Sequence, residues 1–226
     1  MSYSIAIDGP SGAGKSVLAK GLAKELGFKY VDTGAIYRSV GYYMYEHGVD
    51  VTDEKAVEKA LEGVEIKLDY STGIQRVLVN GIDYGDKIRL PEISMYASAV
   101  GKIPAVREKL LDVQRDAAKH NDTVMDGRDI GTVVLPNADV KIFLSASLDD
   151  RAYRRWRELK QKGVNTTLEE VRADMHRRDL QDSTRALAPC VPAEDAVLLD
   201  NTGMEPDETL ALALEIVRSK LGEPIK

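Results

Sequence analysis

The sequence contains little cysteine and histidine and has no long hydrophobic run. Its single cysteine, Cys190, cannot form an intrachain disulfide, and its three histidines lie far apart at positions 47, 120 and 176. These residues lack the spacing of a Cys/His metal site, so any metal ion is expected to be a hard cation held by oxygen atoms and substrate phosphates. No apolar run approaches the roughly 18 residues that a membrane-spanning helix needs. We therefore expect no membrane among its partners.

Basic side chains are also fewer than acidic ones. The 226 residues include 37 acidic and 31 basic side chains, and the formal net charge is −6. A general nucleic-acid binder needs many Lys and Arg side chains to match the phosphate charge, so we expect no nucleic-acid partner. The beginning of the chain, MSYSIAIDGPSGAGK, has no basic segment before its apolar residues and does not resemble a secretory signal. These observations predict a cytoplasmic protein, which we expect to be a monomer.

Short apolar runs alternate with amphipathic segments along most of the chain. The runs are bounded by Gly, Pro and Asp, as is typical of buried parallel strands, and they lie at 4–7, 29–32, 123–126, 140–145 and 196–200. Helical patterns lie between them, at about 15–26, 35–47, 104–119, 148–162, 168–180 and 206–221. Pro104 suits a first helical turn, and Thr166 and Glu169 have the spacing of a capping box. The alternation predicts an α/β protein.

One segment, residues 64–88, interrupts this alternation. It reads as consecutive short strands with turns at Ser71-Thr72-Gly73 and at Asn80-Gly81. The segment therefore predicts a small antiparallel sheet inserted into the α/β core.

Residues 9–16 spell GPSGAGKS, which matches the phosphate-binding pattern G-x-x-x-x-G-K-[ST] between a strand and a helix. The glycines let backbone N–H groups converge on phosphate oxygens, Lys15 reaches the β- and γ-phosphates, and the Ser16 hydroxyl can face Mg²⁺. No Asn-Lys-x-Asp element is present, which disfavours a GTP-binding switch. We predict a nucleoside triphosphate site made of Gly9, Pro10, Ser11, Gly12, Ala13, Gly14, Lys15, Ser16 and Val17.

Two further motifs follow predicted strands. They are DTGAIYR at 32–38 and DGRDIGT at 126–132. Both place an arginine near the carboxyl end of a strand, where open α/β sheets bind ligands. The planar guanidinium groups of Arg38 and Arg128 suit a second anionic group. Asp126 reads either as a Walker-B-like carboxylate that orients Mg²⁺ through water or as a turn-forming residue before Gly127.

Residues 151–185 are basic in an otherwise acidic chain. They carry ten Lys/Arg and six Asp/Glu, a net charge of +4, which leaves −10 for the remainder. Within them, two groups of side chains have helical spacing: Arg178, Asp182 and Arg185, and Arg151, Arg154 and Arg155. Two interpretations are open. The residues form ion pairs on a solvated helix face, or they belong to a mobile basic flap over the phosphates.

Taken together, the motifs carry a family resemblance. In order and spacing, GPSGAGKS, DTGAIYR, YASAVGKIPAVR, DGRDIGTVVLPNADVKIFL and RRDLQDSTRALAPCVPAEDA resemble the bacterial cytidylate kinases of the nucleoside monophosphate kinase superfamily. The resemblance implies a P-loop core at 1–32 and 103–226 with a five-stranded parallel sheet and a short lid at about 150–166. It implies a monophosphate-binding domain at 33–102 that carries the small sheet. The implied activity is γ-phosphoryl transfer from MgATP to CMP and dCMP.

The resemblance also implies roles for individual residues. Thr33, Arg38, Arg128 and Arg185 would hold the CMP phosphate, and Arg178 and Asp182 would reach the ribose. Ser98, Arg107 and Asp129 would line the cytosine edge. The catalytic charges would be Lys15 and Arg128 together with the lid arginines Arg151 and Arg155, and Ser16 would hold Mg²⁺ with the ATP phosphates.

Two alternatives belong to other functional classes. A kinase for a small hydroxyl acceptor, of the shikimate kinase kind, would use a carboxylate base such as Asp32, but it would leave the 64–88 insertion and the RRDLQDSTR motif without a role. A nucleic-acid-handling P-loop protein would dock through residues 151–185. Against it stand the negative charge elsewhere and the presence of only two aromatic residues in that segment, Tyr153 and Trp156.

Overall fold

A computed structural model describes residues 2–222 and contains eight strands and eight α-helices within them. The strands are β1 (Ser4–Asp8), β2 (Lys29–Asp32), β3 (Ile66–Asp69), β4 (Arg76–Val79), β5 (Ile82–Asp83), β6 (Thr123–Asp126), β7 (Val140–Ser145) and β8 (Val197–Asp200). The helices are α1 (Lys15–Leu26), α2 (Thr33–Glu46), α3 (Glu54–Leu61), α4 (Pro91–Val100), α5 (Pro104–Lys119), α6 (Leu148–Gln161), α7 (Leu168–Thr184) and α8 (Pro206–Leu221).

Five strands form one sheet in the order β2-β6-β1-β7-β8. β1 lies in the middle and pairs in parallel with β6 on one side and with β7 on the other, and β7 pairs in parallel with β8. Ile5, Ala6 and Ile7 of β1 are fully buried, as a central strand covered on both faces requires. The predicted α/β class with a five-stranded parallel sheet is confirmed.

Residue contacts divide the chain into two units. The first runs to Tyr30 and resumes at Asp122, and the second is Val31–Asn121, so the division falls inside β2. In the first unit, apolar side chains of α1 and α8 pack with the sheet strands, among them Leu22 and Val217. In the second, α2, α3, α4 and α5 share a core that includes Ile36 and Leu110.

The inserted segment forms a separate small sheet in the second unit. β3 and β4 are antiparallel, and β4 pairs antiparallel with β5. Asn80 and Gly81 make the turn between β4 and β5, and both have positive φ, 51° and 79°. That is the backbone conformation that an Asn-Gly hairpin turn needs, which explains why these two residue types stand there. The predicted small antiparallel sheet is confirmed.

Several details differ from the sequence expectations. The capping box of α7 is made by Thr167 and Glu170, so the predicted pair, Thr166 and Glu169, is wrong by one residue. α3 and α4 were not predicted, and neither was a π-helical turn at Ile130–Val134. Residue contacts group α5 with the second unit, to whose core Val106 and Leu110 belong; the domain boundary at residue 103 that the family resemblance implies stays a prediction. Among residues 2–222, no helix combines the length and hydropathy that crossing a bilayer requires.

Candidate functional site

The GPSGAGKS loop connects β1 to α1 in the first unit. Gly9, Gly12 and Gly14 all have positive φ, at 145°, 74° and 92°. A Cβ atom at Gly9 would lie 2.0 Å from the carbonyl oxygen of Leu144 on β7, so no other residue fits between the two backbones. The loop therefore has the tight, glycine-dependent backbone that lets N–H groups turn toward an anion.

Lys15 is the first residue of α1 and is only 6% exposed. Its Nζ donates to the carbonyl oxygen of Pro10 at 2.7 Å, which folds the side chain over the loop. Burial, together with the neighbouring Arg128 guanidinium, lowers the pKa of Lys15 to about 7. Asn201, which follows β8, donates to the carbonyl oxygen of Ala13 at 3.0 Å and supports the loop from another side.

Ser16 and Asp126 bring hard oxygen atoms together at the beginning of α1. The Ser16 hydroxyl donates to one Asp126 oxygen at 2.8 Å, and the Tyr30 hydroxyl donates to the other at 2.8 Å. Asp126 is 4% exposed at the end of β6. A hydroxyl and a carboxylate beside a phosphate loop suit Mg²⁺, which usually binds one or two carboxylates and substrate phosphates. This contact favours the Walker-B-like interpretation of Asp126 over the turn-forming one.

Asp8, the last residue of β1, connects this strand to the DGRDIGT loop by hydrogen bonds. Its two carboxylate oxygens accept hydrogen bonds from the backbone N–H groups of Ile130 and Gly131, each at 2.7 Å. Burial raises the pKa of Asp8 to about 6, although these hydrogen bonds oppose the shift. The residue fixes the position of the segment that begins directly after Asp129.

Ionisation of Asp8 is expected to lower the folding stability as the pH rises. Its pKa in the folded protein, about 6, exceeds the ordinary value of 3.8. The stabilisation that protonated Asp8 gives the folded state is therefore fully present below about pH 4 and is lost as the pH rises through about 6. Between pH 5 and 7.5, the free energy of unfolding of the wild type should fall relative to that of Asp8→Asn by about 1–1.5 kcal/mol. Urea denaturation of both proteins at each pH measures this difference, and a constant difference would contradict the raised pKa.

The DGRDIGT loop meets α7 and the segment after it through two ion pairs. Arg128 Nε donates to Asp182 Oδ2 at 3.0 Å, and Arg185 Nη2 lies 3.4 Å from Asp129 Oδ1. Asp129 is 5% exposed. The structure thus brings four of the predicted CMP residues together within the first unit. Their contacts link positions more than 50 residues apart, so they are not the local ion pairs of a solvated helix face.

Arg178 lies one turn before Asp182 on α7. The solvated-face interpretation predicts an i, i+4 ion pair between these two residues. In the described part of the chain this pair is not formed, because Asp182 pairs with Arg128 instead. Burial lowers the pKa of Arg178. The helix ends at Thr184, and Arg185 is its C-cap with extended backbone, so Arg185 does not continue the helical face as the sequence spacing assumes.

The three arginines at the beginning of α6 have different environments. Arg151 is 6% exposed and donates to the carbonyl oxygens of Ser11 and Ala146, each at 2.9 Å. Arg154 pairs with Asp150 at 2.6 Å. Arg155 has 40% of its side chain exposed and pairs with Glu158 at 2.7 Å. Arg151 thus contacts the P-loop through Ser11, whereas Arg155 lies on the helix surface.

The second unit contains the other predicted CMP residues. Arg38 Nη2 pairs with Asp32 at 3.2 Å, and Arg38 folds over Gly34, where a Cβ atom would lie 2.9 Å from its Nη1. Within residues 2–222, the buried Nε of Arg38 has no hydrogen-bond acceptor. Arg107 donates to the carbonyl oxygen of Gly101 at 3.2 Å and lies over the ring of Tyr37. Two smaller hydroxyl residues complete the set, Thr33 at the start of α2 and Ser98 on α4.

Three supporting residues were not predicted from the sequence: Asp8, Asp179 and Asn201. Asp8 and Asn201 each stand at or just after the carboxyl end of a sheet strand. That placement is the signal that could have identified them, because ligands bind at that edge. Asp179 gives no such signal, since its partners Ser11 and Arg151 are distant in sequence.

Comparisons with known proteins agree over nearly the whole chain. A family model described as Cytidylate kinase matches residues 5–219. The cytidylate kinase of Desulfitobacterium hafniense is 46% identical over 217 residues, which cover 96% of this chain and 93% of that protein. That of Caldicellulosiruptor saccharolyticus is 45% identical over 221 residues, or 98% of both chains. Among solved structures, an uncharacterized protein from Eubacterium ventriosum aligns over 97% of this chain and 99% of that chain with a TM-score of 0.53 at 13% identity, which shows the fold alone.

Proposed function

The chain belongs to the cytidylate kinase family and is an ATP-dependent CMP kinase; we propose that it also phosphorylates dCMP and that it transfers the γ-phosphoryl group directly, in line and without a covalent intermediate. One observation carries the proposal beyond the family assignment. Asp8, the residue directly before the loop, accepts hydrogen bonds from the backbone N–H groups of Ile130 and Gly131 at 2.7 Å, so the preceding residues, Arg128 and the buried carboxylate Asp129, lie beside the loop. A phosphate-binding charge and a base-reading group therefore adjoin the ATP loop.

We propose that Arg128 and Arg185 bind the phosphate of CMP and that Arg178 and Asp182 contact its ribose. The pairing of Arg128 with Asp182 supports this division, because the carboxylate holds the guanidinium in a fixed direction until an anion arrives. In the second unit we propose that Thr33 and Arg38 also bind the phosphate. The buried Nε of Arg38, which lacks an acceptor among the described residues, is a donor available to a phosphate oxygen.

Asp129, Arg107 and Ser98 are proposed to read the base. Cytosine presents an amino donor next to a ring nitrogen and a carbonyl, which are both acceptors. Asp129 can accept from the amino group and Arg107 can donate to the acceptors. Uracil has a carbonyl and a ring N–H in the first two positions, so both protein groups would face an unsuitable partner, and unpaired buried polar groups produce strong discrimination.

We therefore expect kcat/KM for CMP and dCMP to exceed that for UMP by at least about a hundredfold. The measurement is the initial rate of ADP release from MgATP with CMP, dCMP, UMP, AMP and shikimate as separate acceptors. In Asp129→Asn, the side-chain amide can present N–H to the uracil carbonyl, so the ratio should fall. Equal rates with CMP and UMP in the wild type would contradict the proposed base contacts, and turnover with shikimate would favour a hydroxyl acceptor.

In-line transfer needs alignment and charge neutralisation more than proton abstraction. The acceptor is a phosphate oxygen that is already largely ionised near neutral pH, because the second pKa of a phosphate monoester is about 6. No general base is needed, and the three histidines lie outside every motif. Lys15 and Arg128 are proposed to stabilise the charge that moves between donor and acceptor.

Arg151 and Arg155 are proposed as further sources of positive charge. Arg155 makes an exposed pair with Glu158, which costs little to break, so it is the residue of the two that can turn toward the phosphates. Arg151 acts from its fixed position beside Ser11. Ser16 and Asp126 would hold Mg²⁺ together with the ATP phosphates, and the ion would offset phosphate charge during transfer.

A further inference from the structure

Asp179 of α7 contacts the ATP loop directly. Its Oδ1 accepts a hydrogen bond from the backbone N–H of Ser11 at 3.1 Å. Residue 179 is remote from the loop in sequence, and the family resemblance assigns it no role. The contact therefore connects the phosphate-binding loop to a helix that, by the proposed function, serves CMP.

Arg151 completes this contact on the other side of Ser11. Its Nη1 donates both to Asp179 Oδ2 at 2.5 Å and to the carbonyl oxygen of Ser11 at 2.9 Å. The N–H of Ser11 is thus bound by a carboxylate and its C=O by a guanidinium that are paired with each other. Arg151 and Asp179 have only 8% and 19% of their side chains exposed, so water competes weakly for these bonds.

α7 also supports the next residue of the loop. A Cβ atom at Gly12 would lie 2.5 Å from the terminal methyl carbon of Met175, which stands one turn before Asp179. Met175 is buried among apolar side chains of α6 and α7. Two successive loop residues, Ser11 and Gly12, therefore rest on two successive turns of one helix.

We propose that Asp179 is a positioning residue for ATP, which acts through Ser11 and Arg151 to hold the phosphate-binding loop in its receptive conformation. This inference deepens the proposed role of the loop and rests on it. A loop with three glycines at positive φ loses much conformational freedom when it orders around a phosphate. Contacts that order the loop beforehand reduce that loss at the moment of binding.

The test compares the affinities of Asp179→Asn for two nucleotides. Binding of the non-hydrolysable ATP analogue AMP-PNP with Mg²⁺, and separately of CMP, is measured by calorimetry on the full chain. We expect Kd for the ATP analogue to rise about 5- to 30-fold, the loss typical of one hydrogen-bonded charged contact, and Kd for CMP to stay within about twofold. A variant that merely loosened α7 would weaken CMP binding as well, since Arg178 and Asp182 belong to that helix.

Asp174→Asn is the matched control. Asp174 lies on the same helix and pairs with Arg177 on its exposed face, so both affinities should remain at the wild-type level. Arg151→Lys is a second variant that keeps the positive charge, and its single ammonium cannot reach the three acceptors of Arg151 together. It should also raise Kd for the ATP analogue. In the double variant Asp179→Asn/Arg151→Lys, the fold-increase in this Kd should be smaller than the product of the two single increases, because both residues act through one contact.

An unchanged affinity of Asp179→Asn and Arg151→Lys for the ATP analogue would overturn the proposal, as would equal weakening of ATP and CMP binding. If Asp179→Asn does not fold, Arg151→Lys alone has to show the same separation of the two affinities. A wild-type protein that binds the ATP analogue but does not phosphorylate dCMP, or phosphorylates CMP and UMP at equal rates, would refute the proposed function. It would leave the comparison of ATP affinities intact.

Discussion

Lys15→Ala is expected to lower kcat by at least about a hundredfold, because the substitution removes a buried positive charge that the proposed function places at the transferred phosphoryl group. The fold should survive, because the hydrogen bond that Lys15 Nζ donates joins it to the carbonyl oxygen of Pro10 within the same loop. Lys15→Met keeps most of the side-chain volume and should be equally impaired. The measurement is the steady-state rate of CDP formation at saturating MgATP and CMP.

Lys24→Ala is the control for this substitution. Lys24 lies on the exposed side of the same helix, in its last turn, so its removal tests the loss of one positive charge from α1 without touching the loop. The control should keep wild-type turnover. Near-normal kcat in Lys15→Ala, with the circular dichroism spectrum of the wild type, would refute the role proposed for Lys15.

Arg128→Ala is expected to lower kcat by at least about a hundredfold and to raise KM for CMP. It removes the guanidinium proposed to hold the acceptor phosphate and leaves Asp182, with 17% of its side chain exposed, without its partner. The remaining carboxylate would then repel the CMP phosphate. Arg128→Lys restores the charge but not the planar pair of donors, so it should recover only part of the rate.

Arg177→Ala provides the comparison for Arg128. Arg177 lies on α7 with 74% of its side chain exposed and pairs with Asp174, and its loss changes the net charge by the same amount. Initial rates at varied CMP and fixed saturating MgATP separate kcat from KM for both variants. If Arg128→Ala and Arg177→Ala behave alike, Arg128 has no special role.

Much of the fold could be predicted because its signals are local. The strands at 29–32, 123–126 and 140–145 and the helices at 15–26, 104–119 and 206–221 have the predicted limits. Gly, Pro or Asp marks many of these ends. α4 gave no comparable signal, because its segment is apolar on most sides and packs against α2. α3 is only eight residues long, which is short for a periodicity to emerge.

The site was predictable only where a motif fixes the chemistry. GPSGAGKS identifies Lys15 and Ser16 through glycine spacing, but no spacing reveals that Asp8 binds the backbone at Ile130 or that Asp179 binds Ser11. Those contacts join residues more than 100 positions apart, and they follow from how the strands are ordered. The helical spacing of Arg151 and Arg155 likewise could not show that the first is buried and the second exposed.

The central position of β1 also bears on how the site fluctuates. In a sheet, local opening begins at the edges, where a strand has hydrogen-bonded neighbours on one side only. β8 is such an edge, whereas β1 is held on both sides by β6 and β7. The amides of Ala6 and Ile7 should therefore exchange with solvent only through the rare opening of the whole first unit. The loop that follows them is thus anchored to the part of this unit that should open most slowly.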